Sequence, residues 1–495
     1  MPALRRAGIL LPISSLPSPY GIGTLGAAAR AFTDFLVRAG QSCWQILPVG
    51  PTSYGDSPYQ SFSSFAGNPY FIDLDLLAEQ GLLKPEEYQH LPWGDDPRAV
   101  DYLALYERRF AVLRLACSRL TDEDRLSQAC GDLSAWLEDY ALFMALKESH
   151  GGRPWLEWPE GERLRRPEAL AEARERLAGE ITFWKRVQLL FFSQWRELKA
   201  YANGRGVSII GDLPIYVSVD SADVWANPEQ FQLDAAGRPA EVAGCPPDGF
   251  SADGQLWGNP LFDWEAMRAD GYRWWIRRID AQFRLFDTLR IDHFRGFDEY
   301  YAIPAGDDTA RNGHWRPGPG IAFFRAVEAA LGPRDIIAED LGFLTPSVRK
   351  LLEDTGYPGM KVLEFAFDSR DTGGGYLPHC YTPRCVAYTG THDNDTILGW
   401  MSSAPAEDTA LAKAYLRLSE EEGYHWGMMR SAWASAADLA VMQLQDLLGL
   451  GSEARMNTPS TLGGNWRWRA LPGDCSAELA DRLRREMEIY QRLPG

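Results

Sequence analysis

Three short apolar segments, each ending at an acidic residue, constrain the fold of this chain more than any other feature of its sequence. They run over residues 288–292, 335–339 and 386–393, and their acids are Asp292, Glu339 and Asp393. Each apolar part has the length of a buried parallel strand, and the residues after each acid are typical of a loop. The acids are therefore predicted at the carboxyl-terminal rim of an α/β sheet or barrel, where such folds carry out chemistry.

Strand and helix signals alternate along most of the chain. Residues 8–11 are predicted as a strand, 26–39 as an amphipathic helix and 44–47 as a second strand, which is the opening of a parallel βαβ unit. A later helix is predicted over 264–286, and a strand over 360–365. In all, about eight strand signals alternate with helices, which favours a closed (β/α)8 TIM barrel over an open sheet.

Between about residue 76 and residue 200 the pattern changes to helical periodicity with many charges, and strand signals nearly vanish. This stretch predicts an inserted helical subdomain. The chain is accordingly divided into the start of the barrel at 1–75, the helical subdomain at 76–200 and the rest of the barrel at 201–495. A rim insertion is expected at about 217–262, so helical and loop insertions surround the carboxyl-terminal rim.

Composition excludes several classes of partner. The formal net charge of −18 repels nucleic acid and anionic membranes, so a neutral substrate fits better. The seven cysteines are an odd number without a CxxC pair, which indicates neither a disulfide framework nor a zinc ribbon. No apolar run is long enough for a signal peptide or a membrane span. A cytoplasmic protein without membrane association is expected.

An apolar run that ends in an acid is common in α/β proteins, where the acid often caps the next helix. Here three such segments occur in series, two with a neighbouring histidine (His293, His392) and one with Arg290 two residues before its acid. Two carboxyls in unlike environments, one ionised and one protonated, are what cleavage of a glycosidic bond requires. The set therefore indicates glycosidic chemistry more strongly than three helix caps.

Further segments carry a family resemblance. They are SPYQSF at 57–62, AGNPY at 66–70, GDLPIYV at 211–217, PPD at 246–248, QLWGNPL at 255–261 and GNW at 464–466. Together with the acid segments they resemble the amylomaltases, the 4-α-glucanotransferases of glycoside hydrolase family 77. The resemblance spans nearly the whole chain. It implies a TIM barrel that transfers a segment of an α-1,4-glucan or maltooligosaccharide to the 4-hydroxyl of another, through a covalent intermediate and without a cofactor.

Asp292 is the expected nucleophile, and it has to stay ionised. Arg290 lies on the same face of the strand and favours the carboxylate through a charge-assisted hydrogen bond. Glu339 is the expected general acid and base, whose pKa its apolar neighbours at 336–338 would raise. Asp340 is the rival for that role, and the family pattern places the acid at the position of Glu339.

The resemblance implies that Asp393 and His392 bind the hydroxyls of the sugar at the cleavage point; a helix cap and a structural histidine are the alternatives. It assigns Asp212 a supporting role at the rim, and Tyr59 is a candidate platform beneath the same sugar. His293 and Asn465 complete the expected substrate contacts.

Residues 246–257 resemble the family's rim loop over the acceptor sites, with Asp248, Phe250 and Trp257 as its notable side chains. An aromatic residue there would cover the glucan and exclude water from the intermediate. The family pattern has Tyr where this sequence has Phe250, so a hydrogen bond from that hydroxyl is absent. A packed surface loop is the alternative.

Two other kinds of site are disfavoured. GIGTLG at 21–26 matches a dinucleotide fingerprint, but three prolines separate it from the first strand, and no acid follows the second strand. Asp212, His293, His392 and Asp393 also suggest a metal site, yet they are dispersed, lack HxH or HExxH spacing and neighbour an arginine. Metal catalysis is not expected, and a structural ion is left open.

Two other functions use the same residues differently. An α-glucan hydrolase of the amylase type would employ the same acids, and the spacing of these residues does not separate it from a transferase; the resemblance does. A non-catalytic starch-binding module would need the aromatic residues but not Asp292 together with Glu339.

Overall fold

The computed structural model describes residues 5–53, 55–121, 132–247, 251–342, 344–369 and 375–494. The β-strands of this part of the chain are β1 (Arg6–Leu10), β2 (Cys43–Gln45), β3 (Ser208–Leu213), β4 (Glu241–Cys245), β5 (Gln255–Pro260), β6 (Thr288–Ile291), β7 (Glu299–Pro304), β8 (His314–Pro317), β9 (Ile336–Ala338), β10 (Gly359–Val362), β11 (Cys385–Tyr388) and β12 (Leu439–Gln443). Eight of them form one parallel sheet, and β4, β5, β7 and β8 form a small antiparallel sheet.

The α-helices are α1 (Ala27–Arg38), α2 (Leu74–Glu79), α3 (Tyr102–Ser118), α4 (Leu137–Ser149), α5 (Glu160–Arg163), α6 (Pro167–Arg176), α7 (Ala178–Asn203), α8 (Ala222–Ala226), α9 (Trp264–Ala269), α10 (Arg273–Leu285), α11 (Ile321–Leu331), α12 (Pro346–Thr355), α13 (Ile397–Ser403), α14 (Ala406–Leu416), α15 (Tyr424–Ala434), α16 (Leu444–Leu447) and α17 (Ala477–Ile489). Short 3-10 helices lie at Ile13–Ser15, Pro69–Phe71, Pro85–Glu87, Trp155–Glu157, Pro228–Gln230, Phe294–Phe297, Leu363–Phe367, Pro378–Cys380 and Ser452–Ala454. In the described ranges, no helix has both the length and the apolar character that crossing a bilayer requires.

The parallel sheet closes into a barrel. The barrel strands pair in chain order from β1 to β9 and from β10 to β12, and β1 also pairs with β12. Between β9 and β10, the Ala338 N–H donates to the Pro358 carbonyl (2.9 Å), and the Met360 N–H donates to the Asp340 carboxyl (2.6 Å). The predicted (β/α)8 barrel is confirmed, and parallel strands bring all their carboxyl ends to one rim.

The barrel strands are apolar because both of their faces are covered. Every residue of β6, β11 and β12 is buried. Polar groups inside the barrel are paired near the rim; the Tyr388 hydroxyl, for example, donates to Gln45 Oε1 (2.8 Å). This explains why the strands appear in the sequence as short continuous apolar runs.

Helices α2 to α7 all lie between β2 and β3, in the stretch expected to be helical. Their buried side chains, such as Leu142 and Trp184, belong to the same apolar cluster as the barrel residue Ile210. One apolar core therefore joins the helices to the barrel. A shared core does not mark domain boundaries, so the division into 1–75, 76–200 and 201–495 stays a prediction.

Two expected elements differ in the structure. The single helix expected over 264–286 is broken into α9 and α10, because Gly271 (φ 76°) and Tyr272 (φ 58°) take left-handed backbone conformations. The strand expected over 360–365 ends at Val362, and the 3-10 helix Leu363–Phe367 follows it. In both cases the apolar pattern continues past the point where the backbone changes.

The small antiparallel sheet was not predicted. β4 pairs with β5 and β7, and β7 pairs with β8. Two of these strands, β4 and β5, lie within the rim insertion expected at about 217–262, for which no strand was predicted. Trp257 therefore lies in β5, and the described residues 246–247 and 251–254 of the expected rim loop lie between β4 and β5.

Candidate active site

The predicted acids converge on the carboxyl-terminal rim of the barrel. Asp212 lies in β3, Asp292 follows β6, and Glu339 follows β9, and these three strands are neighbours in the sheet. Asp393 lies in the loop after β11. The four side chains thus border the same end of the barrel, as the sequence predicts for parallel strands.

Arg290 is the buried centre of this cluster. Its Nη1 donates to both oxygens of Asp212 (2.7 Å each) and lies 3.1 Å from Asp292 Oδ1, while its Nε contacts the sulfur of Met360 at 3.3 Å. Although burial opposes the shift, the charges of Asp212 and Asp292 raise the pKa of Arg290 well above its usual value. Arg290 does contact Asp292 as expected, but its shortest contacts are with Asp212.

The Asp292 carboxyl combines burial with access to the rim. Burial raises the pKa of Asp292 to about 6, with further increases from Asp212 and Asp393, while Arg290 opposes the rise. About a quarter of its side chain (27%) is exposed. The group is therefore desolvated by its surroundings and still open on the side where a sugar can approach.

Glu339 is held in place by backbone amides. Its oxygens accept from the N–H groups of His293 (2.7 Å) and Leu341 (2.9 Å). Burial raises the pKa of Glu339 to about 7, opposed by Arg290 and reinforced by the charge of Asp292. The two carboxyls thus have unlike environments, and the higher pKa belongs to Glu339.

Asp340, the rival of Glu339, points elsewhere. Its carboxyl is buried and accepts from the Met360 N–H across the gap between β9 and β10. Successive side chains along an extended segment alternate between faces, so only one of two consecutive acids faces the rim. The geometry gives Asp340 a role in closing the barrel and favours Glu339 for the reaction.

His392 and Asp393 form a paired unit with Asn457. His392 Nε2 lies 3.4 Å from Asp393 Oδ2, and the Asn457 side-chain amide donates to Asp393 Oδ1 (2.6 Å). Although burial opposes the shift, His392 and Asn457 lower the pKa of Asp393 below its usual value. The same pairing raises the pKa of His392 despite its burial. Asp393 is consequently a firmly ionised carboxylate paired with His392.

Tyr59 contacts both Asp212 and His392. Its hydroxyl donates to Asp212 Oδ2 (2.8 Å), and its ring stacks on His392 with centroids 5.2 Å apart and planes 17° from parallel. Trp466 packs against both rings, at 5.7 Å from Tyr59 and 6.0 Å from His392. Tyr59, predicted as a platform beneath the sugar, is thus one member of an aromatic group at the rim.

Trp257 approaches the site from the small sheet. Its ring meets that of His293 edge to face, with centroids 4.8 Å apart, and its indole N–H donates to Gln255 Oε1 (3.0 Å). Burial lowers the pKa of His293 to about 4, so this histidine is neutral. Because His293 directly follows Asp292, the indole ring borders the Asp292 side of the rim.

The remaining expected contacts lie farther from the acids or outside the described residues. Asn465 is partly exposed; its side-chain oxygen accepts from the Thr458 N–H (3.0 Å), and its side-chain nitrogen donates to Thr461 Oγ1 (3.0 Å) within its own loop. It shapes the loop beside Trp466, and a direct contact with substrate stays a prediction. Asp248 and Phe250 lie outside the residues that the structure describes.

The four residues considered as metal ligands are engaged differently. Asp212 accepts from Arg290 and Tyr59, and His392 pairs with Asp393. Across the described part of the chain, no group of three or more His, Cys, Asp and Glu side chains is arranged to hold a metal ion. The cluster is organised around a guanidinium, whose charge disfavours a cation at the same place.

Similarity to known proteins extends over nearly the whole chain. A family model described as 4-alpha-glucanotransferase matches residues 11–473. The chain belongs to the 4-alpha-glucanotransferase family. The 4-alpha-glucanotransferase of Thermus thermophilus is 49% identical over 502 residues, with 99% of each chain covered. That of Clostridium butyricum is 47% identical over 484 residues, covering 97% of this chain and 99% of the relative.

Solved structures of two amylomaltases have the same fold as this chain. The amylomaltase of Streptococcus agalactiae, solved in complex with acarbose, superposes with a TM-score of 0.96 at 43% identity and covers 99% of this chain and 100% of its own. The amylomaltase of Corynebacterium glutamicum (TM-score 0.75, 21% identity, coverage 99% and 74%) shares the fold. The predicted family, fold class and 4-α-glucanotransferase activity are confirmed, while the roles of individual residues stay predictions.

Two members of the site in this 4-alpha-glucanotransferase were missed from the sequence. Asn457 and Trp466 both lie in the segment after β12, and no strand-end signal marks either of them. The GNW triplet at 464–466 supplied a signal, but Asn465 was selected from it rather than Trp466. In the structure the aromatic neighbour is the residue that faces Tyr59 and His392.

Proposed function

We propose that this enzyme transfers α-1,4-glucan segments through a covalent intermediate on Asp292, with Glu339 as general acid and then general base. The difference between these two buried carboxyls carries the proposal. The pKa of Asp292 is about 6, and that of Glu339 is about 7. Because Asp292 also lies 3.1 Å from the Arg290 guanidinium, it is the carboxyl suited to ionise, and Glu339 is the one suited to keep its proton, which is the division of roles that retaining glycosidic chemistry requires.

The reaction has two balanced steps. In the first, Asp292 attacks the anomeric carbon of the donor, and Glu339 gives its proton to the glycosidic oxygen, which leaves as the 4-hydroxyl of a shorter glucan. In the second, Glu339 takes the proton of an acceptor 4-hydroxyl, whose oxygen attacks the same carbon and frees Asp292. Two inversions at one carbon retain the α-configuration.

Asp393 and His392 are proposed to bind the hydroxyls of the sugar at the cleavage point. An ionised Asp393 paired with His392 offers a carboxylate and an imidazole that are already oriented. Such hydrogen bonds strengthen as positive charge develops on the ring, so they stabilise the oxocarbenium-like transition state.

The proposed substrates are neutral α-1,4-glucans and maltooligosaccharides. The net charge of −18 and the aromatic group of Tyr59 and Trp466 at the rim suit a neutral ligand that stacks on rings. Because the Streptococcus agalactiae amylomaltase was solved with acarbose, we propose that acarbose also binds at this rim. The cytoplasmic location indicated by the cysteine pattern is proposed with it.

The activity is tested with maltotriose. A transferase turns it into a ladder of both longer and shorter oligosaccharides, while a hydrolase that uses the same acids gives only shorter ones. A binding module leaves the trisaccharide unchanged. Product sizes by chromatography, with glucose measured separately, distinguish the three, and the absence of longer products contradicts the transfer function.

Trp257→Ala is expected to shift the balance from transfer toward hydrolysis. The ring borders the nucleophile's side of the rim through His293, and losing it weakens acceptor binding by about 1 kcal/mol and admits water. The share of cleaved bonds that end in hydrolysis should rise, as measured by reducing ends formed per transfer. Trp315→Ala, which changes a partly exposed tryptophan of β8, is the control. Equal losses of transfer and hydrolysis in Trp257→Ala contradict its role.

The two pKa values predict a bell-shaped pH dependence of kcat/KM for maltotriose. Asp292 has to be ionised, so activity falls as the pH drops through a value near 6; Glu339 has to be protonated, so activity falls as the pH rises past about 7. With α-glucosyl fluoride as donor the alkaline decline should disappear, because fluoride leaves without a proton. An alkaline decline of equal size on both donors contradicts the assignment to Glu339.

A further inference from the structure

Two buried carboxyls behind the loop that carries His392 and Asp393 have no part in the steps above. Glu364 lies in the 3-10 helix after β10, and Asp446 lies in α16 after β12. Their exposed fractions are 3% and 1%. In the barrel β11 lies between β10 and β12, so the two carboxyls flank the loop that follows β11 from either side.

Asp446 accepts hydrogen bonds from both ends of this loop. One of its oxygens accepts from the Thr389 hydroxyl (2.9 Å), directly after β11, and the other accepts from the Ile397 N–H (2.7 Å), where α13 begins. The start and the end of the loop, eight residues apart in sequence, are thus held by a single side chain.

Glu364 fastens the middle of the same loop. Its own N–H donates to the Thr389 carbonyl (3.1 Å), and the side chain of Asn394, the residue after Asp393, acts to lower the pKa of the Glu364 carboxyl. Asn394 Oδ1 in turn accepts from the backbone N–H (2.9 Å) and the hydroxyl (3.0 Å) of Thr391. Glu364 and Asn394 therefore brace the turn on which His392 and Asp393 sit.

Burying the carboxyls of Glu364 and Asp446 costs free energy of folding. Burial raises the pKa of Glu364 well above its usual value, with additions from Asp446 and Asp395, and Arg455 is the opposing charge. Burial also raises the pKa of Asp446 to about 7, against the hydrogen bonds from Ile397 and Thr389 and with a small addition from Asp395. Glu364 Oε1 has no hydrogen-bond partner among the described residues. A fold retains such buried polar groups where they order one particular arrangement.

We propose that Glu364 and Asp446 are positioning residues for the transfer reaction: they fix the loop at 389–397 so that His392 and Asp393 meet the reacting sugar in one geometry. The inference rests on the proposed function, since it requires the roles given there to His392 and Asp393. Neither carboxyl touches substrate. Each acts through loop residues, Asp446 through Thr389 and Ile397 and Glu364 through Asn394.

The main test is Asp446→Ala with Asp73→Ala as its matched control. Asp73 is also a buried carboxyl that accepts from one threonine hydroxyl (Thr24, 2.6 Å) and one helix amide (Leu76, 3.0 Å), but it caps α2. We expect the kcat for maltotriose to fall about 100-fold in Asp446→Ala with KM changed less than about threefold, because a misplacement of about 1 Å has such an effect. Asp73→Ala should lower the melting temperature and leave kcat within about twofold.

Conservative variants give a second measurement. Glu364→Gln keeps an acceptor for Asn394 and should stay within about twofold of the wild-type kcat, whereas Glu364→Ala should fall like Asp446→Ala. Thr389→Val removes only the hydroxyl that donates to Asp446 and should reduce kcat about tenfold. The affinity for acarbose, measured by calorimetry, should fall in parallel with kcat in each loop variant.

The outcomes are separable. An unchanged kcat in Asp446→Ala, or an equal fall in Asp73→Ala, overturns the positioning role. If Asp446→Ala does not fold, Thr389→Val and Glu364→Ala decide by the same criterion, with Glu364→Gln as the rescue. Wild-type activity of Asp393→Asn would instead contradict the proposed function itself, whatever the loop variants show.

Discussion

Asp292→Asn is expected to lower turnover of maltotriose by at least about 10⁴-fold while leaving maltotriose binding within a few-fold of wild type. The amide has nearly the shape of the carboxyl but cannot attack carbon. The site should keep its structure, because Asp212 still accepts two hydrogen bonds from Arg290 when the contact with Asp292 is weakened. Turnover is measured by chromatography and binding by calorimetry.

The control for this variant is Asp340→Asn, which makes the same chemical change in a buried carboxyl at the same rim. Because Asp340 bonds the Met360 amide and closes the barrel, it should affect stability and leave the kcat within about threefold. A 5-fluoro glucosyl donor that traps the intermediate should label the peptide with Asp292. Label on Glu339 or Asp393 would reverse the roles, and turnover of Asp292→Asn within about tenfold of wild type would exclude it as nucleophile.

The barrel was predictable because its strands are buried on both faces. Such strands appear as short apolar runs that stop where the chain leaves the sheet, and their order along the chain is their order around the barrel. The small antiparallel sheet was not predictable in the same way. β4 contains a glycine, β5 contains a glycine and a proline, and β8 is largely exposed, so neither an apolar run nor a clear alternation marks them.

The contacts of the site could likewise be predicted only in part from the sequence. The alternation of side chains along a strand placed Arg290 on the same face as Asp292, and the contact exists. The stronger partner, Asp212, lies opposite Arg290 in the register of β3 with β6, which depends on how the two strands align rather than on either segment alone. Asn457 reaches Asp393 from 64 residues away, through a loop whose path only the folded chain defines.

Glu339→Gln is expected to slow maltotriose far more than an activated donor. Protonation of the leaving oxygen is worth about 10²- to 10⁴-fold, so kcat/KM for maltotriose should fall by about 10³. For α-glucosyl fluoride it should fall by less than about tenfold, since fluoride leaves without a proton. The glutamine oxygen can accept from the amide of either His293 or Leu341, whereas its NH2 group cannot accept from the other, so one of the two amide contacts that hold this side chain is kept. The measurement is kcat/KM for both donors at one pH.

Azide distinguishes the role of Glu339 as general base from its role as general acid. As acceptor for the intermediate it needs no base, so it should restore turnover of α-glucosyl fluoride in Glu339→Gln and give the α-glucosyl azide, with configuration retained by the intermediate on Asp292. The alkaline decline of kcat/KM for maltotriose should also disappear in this variant, because the group whose pKa is about 7 in the wild type is gone. Equal losses of kcat/KM on both donors, or an alkaline decline that persists in the variant, would assign the role of proton donor to another residue. Asp393 is then a poor candidate, because its pKa is lowered and it holds no proton near neutral pH.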